Sequence, residues 1–136
     1  MIIVLLLPKK PTATAQQKGV NTRGASPHFY TKKSVEAVKT MYKLAILDYF
    51  RKSKEPIPYF NGPVSVSVRF DFAMTDKRTW GRYKTTKPDC DNLVKLLLDV
   101  LTGLHFWRDD AVVASLKVEK FYSNQNSVVI KVEDLK

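Results

Sequence analysis

The stretch from Lys87 to Asp110 holds five of the thirteen acidic residues of a chain whose formal net charge is +10. Two of them, Asp89 and Asp91, are separated by one residue. On an extended segment, side chains two positions apart point to the same side, so these carboxylates would be neighbours. Neighbouring carboxylates repel each other unless a cation lies between them. Mg²⁺ suits such a pair, because it takes one or two carboxylates and completes its shell with water and phosphate oxygens.

Lys95 and the pair Asp109–Asp110 extend this chemistry. Lys95 follows Asp91 by four residues, one turn further along the same face of a predicted helix. Its ammonium could pair with a carboxylate or stabilise negative charge on a phosphate under attack. Asp109–Asp110 precedes a predicted strand, from which one carboxylate could reach the same cation. Such a set is sufficient for metal-assisted hydrolysis of a phosphodiester.

Each of these residues also has a purely structural interpretation. Asp91 could be a helix N-cap, Lys95 a surface ion-pair member, and Asp109–Asp110 a turn. Cys90 is expected to be a small buried residue and Trp107 a core residue. Taken one at a time, the structural interpretations are the stronger ones, since an Asp-x-Asp pair is common.

The basic charge favours a polyanionic partner. With 23 Lys and Arg against 13 Asp and Glu, nucleic acid is the first candidate and an acidic membrane surface the second. The loop Thr75–Lys87 combines basic side chains with aromatic ones that could stack on bases. Its predicted DNA-contacting residues are Lys77, Arg78, Trp80, Arg82, Lys84 and Lys87. The alternative is an exposed loop whose Trp80 folds back onto the core.

Several classes of protein are disfavoured. A single cysteine excludes an internal disulfide framework and fits a reducing, cytoplasmic location. His28 and His105 lack ligand-like spacing, so a zinc site is not expected. The apolar run Met1–Leu7 has no basic flank and is far too short to span a membrane, so neither a signal peptide nor a membrane span is expected, and a buried strand is the better interpretation. DNA, and not a membrane, is the expected partner.

The first half of the chain predicts a strand, a loop and a helix. Ile2–Leu7 is continuously apolar, which is typical of a strand covered on both faces. Residues 8–31 lack periodicity and predict a long loop, either a flexible arm over DNA or a plain connector. A helical pattern starts at Ser34, the predicted N-cap, and should end before Pro56.

The second half predicts a strand, a helix and two more strands. Val64–Phe72 alternates strictly between apolar and polar residues. A helix capped by Asp91 or Asn92 should run to Thr102-Gly103. Alternation in residues 114–119 and 128–133, around a turn at 124–126, predicts a C-terminal hairpin. The order β-α-β-α-β-β predicts one α+β domain over residues 1–136, with a mixed sheet and two main helices.

Taken together, the motifs resemble one family. The string K-P-D-C-D-N-L-V-K-L-L-L-D-V-L-T-G, followed by W-R-D-D-A-V-V, is similar to the signature of the RusA family of Holliday junction resolvases, over residues 87–113. The resemblance implies a Mg²⁺-dependent endonuclease, with Mn²⁺ as a possible substitute, that cuts four-way DNA junctions during recombination and repair. By motif position, Asp89, Asp91 and Asp110 are the expected metal-binding catalytic carboxylates and Lys95 the catalytic lysine.

The resemblance leaves some points open. Asp109 is the alternative to Asp110, and Asp99 is expected to support the structure. Residues 12–19 lack the arginines that many members of the family carry after the first strand. A homodimer is implied, and symmetry supports it independently, because one chain has room for one site while paired symmetrical nicks need two.

Two other functions fit parts of the sequence. A non-catalytic protein binding branched DNA would explain the charge but would leave Asp89, Asp91 and Asp110 without a role. A Mg²⁺ phosphatase with an Asp nucleophile would explain the Asp-x-Asp pair. That chemistry usually places the pair directly after a buried apolar strand, whereas residues 85–88 are mostly polar.

Overall fold

Strands and helices occur in the predicted order. The computed structural model describes residues 1–12 and 29–136. The elements are β1 (Ile2–Leu6), α1 (Phe29–Ser53), β2 (Val64–Ala73), α2 (Cys90–Gly103), β3 (Val113–Ser123) and β4 (Ser127–Asp134). Short 3-10 turns at Lys77–Thr79 and Asp110–Val112 precede α2 and β3. The α+β class with a mixed sheet is confirmed.

The four strands lie in the order β1-β4-β2-β3. β4 pairs antiparallel with both β1 and β2, while β2 and β3 are parallel. The predicted C-terminal hairpin is therefore wrong, because β2 lies between β3 and β4. Parallel neighbours require a crossover connection, and α2 provides it between β2 and β3.

Residues 124–126 carry the chain from β3 across the end of β2 to β4. Neighbouring strands are about 4.8 Å apart, so the crossing of about 10 Å is within reach of three residues. Asn126 fixes this crossing. Its side-chain oxygen accepts a 2.9 Å hydrogen bond from the Ala73 N–H, and its backbone oxygen accepts one of 2.9 Å from the Leu7 N–H. A turn between two predicted strands indicated a hairpin, but a turn motif does not specify with which strand each of its flanks will pair. The sequence therefore could not show that β2 would lie between them.

The core lies between one face of the sheet and the two helices. The predicted alternation of β2 is confirmed, since every second residue from Val64 to Phe72 is buried. Ile46 of α1 and Leu93 and Leu97 of α2 are fully buried in the same apolar cluster. This packing fixes α2, and with it the residues at its N-terminus, relative to the strands.

β1 is covered on one face only, contrary to the prediction. Ile3 and Leu5 are in the core, whereas Ile2, Val4 and Leu6 are each more than half exposed. β1 is an edge strand, and the helices pack on a single face of the sheet. A continuous apolar run therefore did not distinguish a central strand from an edge strand.

The bounds of α1 and the burial of β3 also differ from the predictions. α1 begins at Phe29, so Ser34 lies inside the helix and not at its N-cap, and the helix ends at Ser53, as expected before Pro56. The rest of the predicted loop, residues 13–28, lies outside the described residues. On β3, Leu116 is exposed because β3 is the other edge strand. Among the described helices, none is long and apolar enough to cross a membrane.

Candidate active site

The N-terminus of α2 differs in detail from the predicted one. Asp89 is the N-cap in extended conformation, and its side chain makes no capping hydrogen bond. The expectation that Asp91 or Asn92 caps the helix is therefore wrong, and Asp91 lies in the first turn. Because Asp91 is helical, the alternation argument that placed both carboxylates on one side does not apply. Neither the Asp89 carboxylate nor the Asp91 carboxylate is therefore used to cap the backbone of the helix.

The side chains at this end of α2 are available to a ligand. The Lys87 ammonium lies 3.3 Å from an Asp89 carboxylate oxygen in an exposed pair. Asp91 and Lys95 are exposed, and neither makes a hydrogen bond or ion pair with the described residues. The structural alternatives for these two residues, an N-cap and a surface ion pair, are thus not observed. The positive end of the helix dipole also favours anions at this position.

Asp109 and Asp110 occupy different positions at the start of β3. Asp109 is exposed and extended, and its backbone oxygen accepts a 3.2 Å hydrogen bond from the Val112 N–H. Asp110 is half-buried and is the first residue of the 3-10 turn. Neither carboxylate is used as a cap. The 3-10 turn contacts α2, but it precedes the first residue of β3, whereas Asp89 and Cys90 lie beside Val118 and Lys120 near the other end of that strand. The structure therefore does not bring Asp110 next to Asp89 and Asp91, as the sequence had led us to expect.

The carboxylates do not form a closed metal cage. Within residues 1–12 and 29–136, no group of three or more His, Cys, Asp or Glu side chains could hold a metal ion. Mg²⁺ does not need such a group, since it commonly binds through one or two carboxylates and keeps water and phosphate oxygens as its other ligands. The unpaired, hard oxygen donor of Asp91, next to Asp89, fits that requirement.

Three residues in or near α2 have surroundings that the sequence did not reveal. The Lys120 ammonium of β3 donates 2.8 Å hydrogen bonds to the backbone oxygens of both Thr86 and Pro88. Asn92 is buried, and its side-chain oxygen has no hydrogen-bond partner among the described residues. Lys39 of α1 forms a 3.3 Å ion pair with Asp99, which agrees with the supporting role expected of that aspartate. No sequence pattern distinguished Lys120 from the other lysines of its strand.

The loop 75–87 runs along the outer edge of β3. Backbone hydrogen bonds of 2.9 to 3.0 Å join Gly81 and Arg82 to Tyr122 and Lys84 to Lys120. Gly81 has φ of 85°, a conformation that favours glycine. The pairing holds the predicted DNA-contacting residues beside the N-terminus of α2, because the loop leads directly into Asp89.

Within this loop, the side chains of the predicted DNA-contacting residues differ in how strongly contacts within the protein hold them. Trp80 is 38% exposed and donates its indole N–H to the Met74 oxygen at 2.7 Å, so it is not folded into the core. Two 3.0 Å hydrogen bonds hold the Arg78 guanidinium on Asp76, and they lower the pKa of that carboxyl. The Lys84 ammonium lies 5.1 Å from the Phe72 ring centroid, and burial lowers its pKa.

An aromatic stack on the outer face of the sheet was also not predicted. The Tyr83 ring stacks on Phe121 with centroids 4.5 Å apart, and the Arg69 guanidinium lies 4.1 Å from the Phe121 centroid. The Tyr83 hydroxyl donates a 2.9 Å hydrogen bond to Glu119, which raises the pKa of the tyrosine. Only Tyr83 could be read from the sequence as an aromatic residue among basic ones.

Comparison with known proteins gives one consistent result. The family model described as endodeoxyribonuclease RusA matches residues 8–133. A protein of Lactococcus phage r1t, named crossover junction endodeoxyribonuclease rusA, is 33% identical over 129 residues, which cover 95% of this chain and 94% of that protein. The uncharacterized protein YqaN of Bacillus subtilis (strain 168) is 28% identical, with 93% of this chain and 87% of that protein covered. The chain belongs to the endodeoxyribonuclease RusA family.

Proposed function

We propose that this protein is a structure-specific endodeoxyribonuclease that resolves Holliday junctions by Mg²⁺-dependent phosphodiester hydrolysis, acting in DNA recombination and repair in the cytoplasm. The observation that carries the proposal is the set of unpaired polar groups at the N-terminus of α2, in a member of this family. Asp91 and Lys95 are exposed and have no partner among the described residues. The phage relative is named for the same activity.

In the proposed mechanism, Asp89 and Asp91 would hold Mg²⁺, with Mn²⁺ able to replace it. Bound there, such a metal would supply an activated water and charge stabilisation for the leaving oxygen of the scissile phosphate. Lys95, one helical turn from Asp91, donates to a non-bridging phosphate oxygen as negative charge develops there. Asp110 is the third carboxylate proposed from the motif, in preference to the exposed Asp109, because it is half-buried. It lies near the opposite end of β3 from Asp89, so within one subunit Asp89 and Asp91 would hold the metal without it.

The proposed substrate requires two active sites. A four-way junction has approximate two-fold symmetry, and productive resolution needs symmetrical nicks in two strands. We therefore propose a homodimer with one site in each subunit. The basic loop 75–87 would bind the phosphate backbone next to each site through Lys77, Arg78, Arg82, Lys84 and Lys87, with Trp80 against the bases.

Cleavage of a synthetic four-way junction tests the function. We expect paired nicks at symmetrical positions with Mg²⁺ or Mn²⁺, no nicks with EDTA, and much slower cutting of a linear duplex of the same sequence. Sedimentation of the free protein should give the mass of a dimer. If the junction is bound but remains uncut with several divalent metals, the non-catalytic alternative is favoured instead.

Arg82 allows a separate test of the proposed DNA-binding loop. Its side chain is exposed and makes no ion pair with the described residues, while its backbone is fixed on Tyr122. Arg82→Ala should weaken junction binding and reduce the slope of log K against log salt by about 1, as expected for one lost phosphate contact. Lys52→Ala is the control, because Lys52 lies near β1 at the opposite edge of the sheet. An equal loss of slope in both variants would contradict the assignment.

A further inference from the structure

Lys120 connects β3 to the segment that leads into the proposed active site. Its side chain is partly buried, and its ammonium donates to the Thr86 and Pro88 oxygens, both at 2.8 Å. These two oxygens flank Lys87, and Pro88 immediately precedes Asp89, the N-cap of α2. Hydrogen bonds from a charged donor are shorter and stronger than neutral ones. The Lys120 ammonium therefore binds two backbone oxygens within the three residues that precede Asp89, a proposed metal ligand.

Other contacts do not fix this segment equally well. The Lys84 ammonium donates to the Thr86 hydroxyl at 2.6 Å, on an exposed side chain, and the Lys87 ammonium pairs with Asp89 in solvent. Exposed pairs of this kind contribute little to rigidity. The Lys84 N–H binds the backbone oxygen of Lys120 itself at 2.9 Å, so the loop and the lysine side chain are held on the same strand position.

We propose that Lys120 is a positioning residue for the metal site: by binding the Thr86 and Pro88 oxygens, it fixes the direction from which Asp89 enters α2 and so holds the Asp89 carboxylate in its metal-binding position. The inference rests on the proposed function, since it assigns Asp89 to the metal. Lys120 acts through the backbone and need not touch the DNA. A merely structural lysine would affect stability without changing the metal requirement.

Lys120→Met, which keeps most of the length of the side chain but removes the donors and the charge, tests the proposal against Lys120→Arg, which keeps both the donors and the charge. The matched control is Lys117→Met, an exposed lysine of the same strand that pairs with Glu119. For Lys120→Met we expect the metal concentration giving half-maximal cleavage to rise by about 10- to 100-fold, the range found for groups that orient metal ligands. Lys120→Arg and Lys117→Met should stay within about 3-fold of the unmodified protein.

Hydrogen exchange provides a readout that does not depend on cleavage. The Leu93 N–H donates to the Asp89 oxygen at 3.0 Å and closes the first turn of α2. In metal-free protein, Lys120→Met should speed exchange of the Leu93 amide at least about 10-fold while exchange at Leu97 is unchanged. If Lys120→Met does not fold, Lys120→Gln is measured in the same way.

Three results would overturn the proposal: an unchanged Leu93 exchange rate, an unchanged metal midpoint in an active variant, or the same shifts in Lys117→Met. If the unmodified protein cuts no junction, the proposed function fails, yet the exchange measurement still decides whether Lys120 orders the start of α2. The two failures are therefore distinguishable.

Discussion

Asp91→Asn is expected to lower the rate of junction cleavage at least about 10³-fold while junction affinity, measured in EDTA, stays within about 3-fold. Asparagine keeps the shape of the side chain and removes the negative charge that would hold the cation. Folding should be little affected, because Asp91 is exposed, is not the N-cap and has no partner among the described residues. Its interaction with the helix dipole accounts for about 0.3 to 1 kcal/mol. Single-turnover cleavage and gel-shift titration measure the two quantities.

Asp99→Asn is the control for this variant. Asp99 lies two turns further along α2, where its carboxylate pairs with Lys39 on α1. The same change of charge at that position should leave the cleavage rate within about 3-fold, because the pair is partly exposed and such pairs contribute about 0 to 1 kcal/mol. If Asp91→Asn loses binding and cutting together, Asp91 acts in folding or in DNA binding, and the metal assignment is wrong.

Trp107→Ala should reduce the free energy of unfolding by about 3 to 5 kcal/mol, a large share of the stability of a small domain. Trp107 is fully buried, packs edge-on against Phe106, and donates its indole N–H to the Thr102 hydroxyl at 2.7 Å. That hydroxyl in turn donates to the Leu98 oxygen at 2.9 Å. The substitution leaves a cavity and removes the contact that secures the end of α2. Urea denaturation measures the loss.

Two further variants separate the causes. Trp107→Phe keeps most of the ring and loses the N–H, so about 1 to 2 kcal/mol should be lost. Trp80→Ala, in the loop before α2, should cost less than about 1 kcal/mol because its ring is partly exposed. A loss for Trp107→Ala no larger than that of Trp80→Ala would show that residues 104–107 do not anchor the helix.

The sequence predicted what depends on local patterns. The alternation of β2 and the end of α2 at Gly103 follow from side-chain periodicity and from a glycine stop. The pairing of strands depends on contacts between distant residues, and the turn at 124–126 gave no sign that β2 would lie between β3 and β4. The apolar run of β1 likewise indicated burial but not which face would be covered.

For the candidate site, the sequence predicted a set of residues but not their geometry. The motif predicted Asp89, Asp91, Lys95 and Asp110 as site residues, and those roles stay predictions. The N-cap lies two or three residues before the predicted one, which removes the simple alternation argument. Lys120 could not be predicted, because its partners are backbone oxygens more than thirty residues away in the chain. Side chains that bind backbone atoms leave no pattern in a single sequence.

The two tryptophans differ in how accessible their indole rings are to solvent, and this difference can be measured by fluorescence. Trp107 is shielded completely, whereas Trp80 exposes 38% of its surface in the basic loop. A dissolved quencher of fluorescence therefore reaches the indole of Trp80 and not that of Trp107. The shielded emission serves as an internal reference, and protection of the accessible fraction would report directly when DNA covers the loop, without any label on protein or substrate.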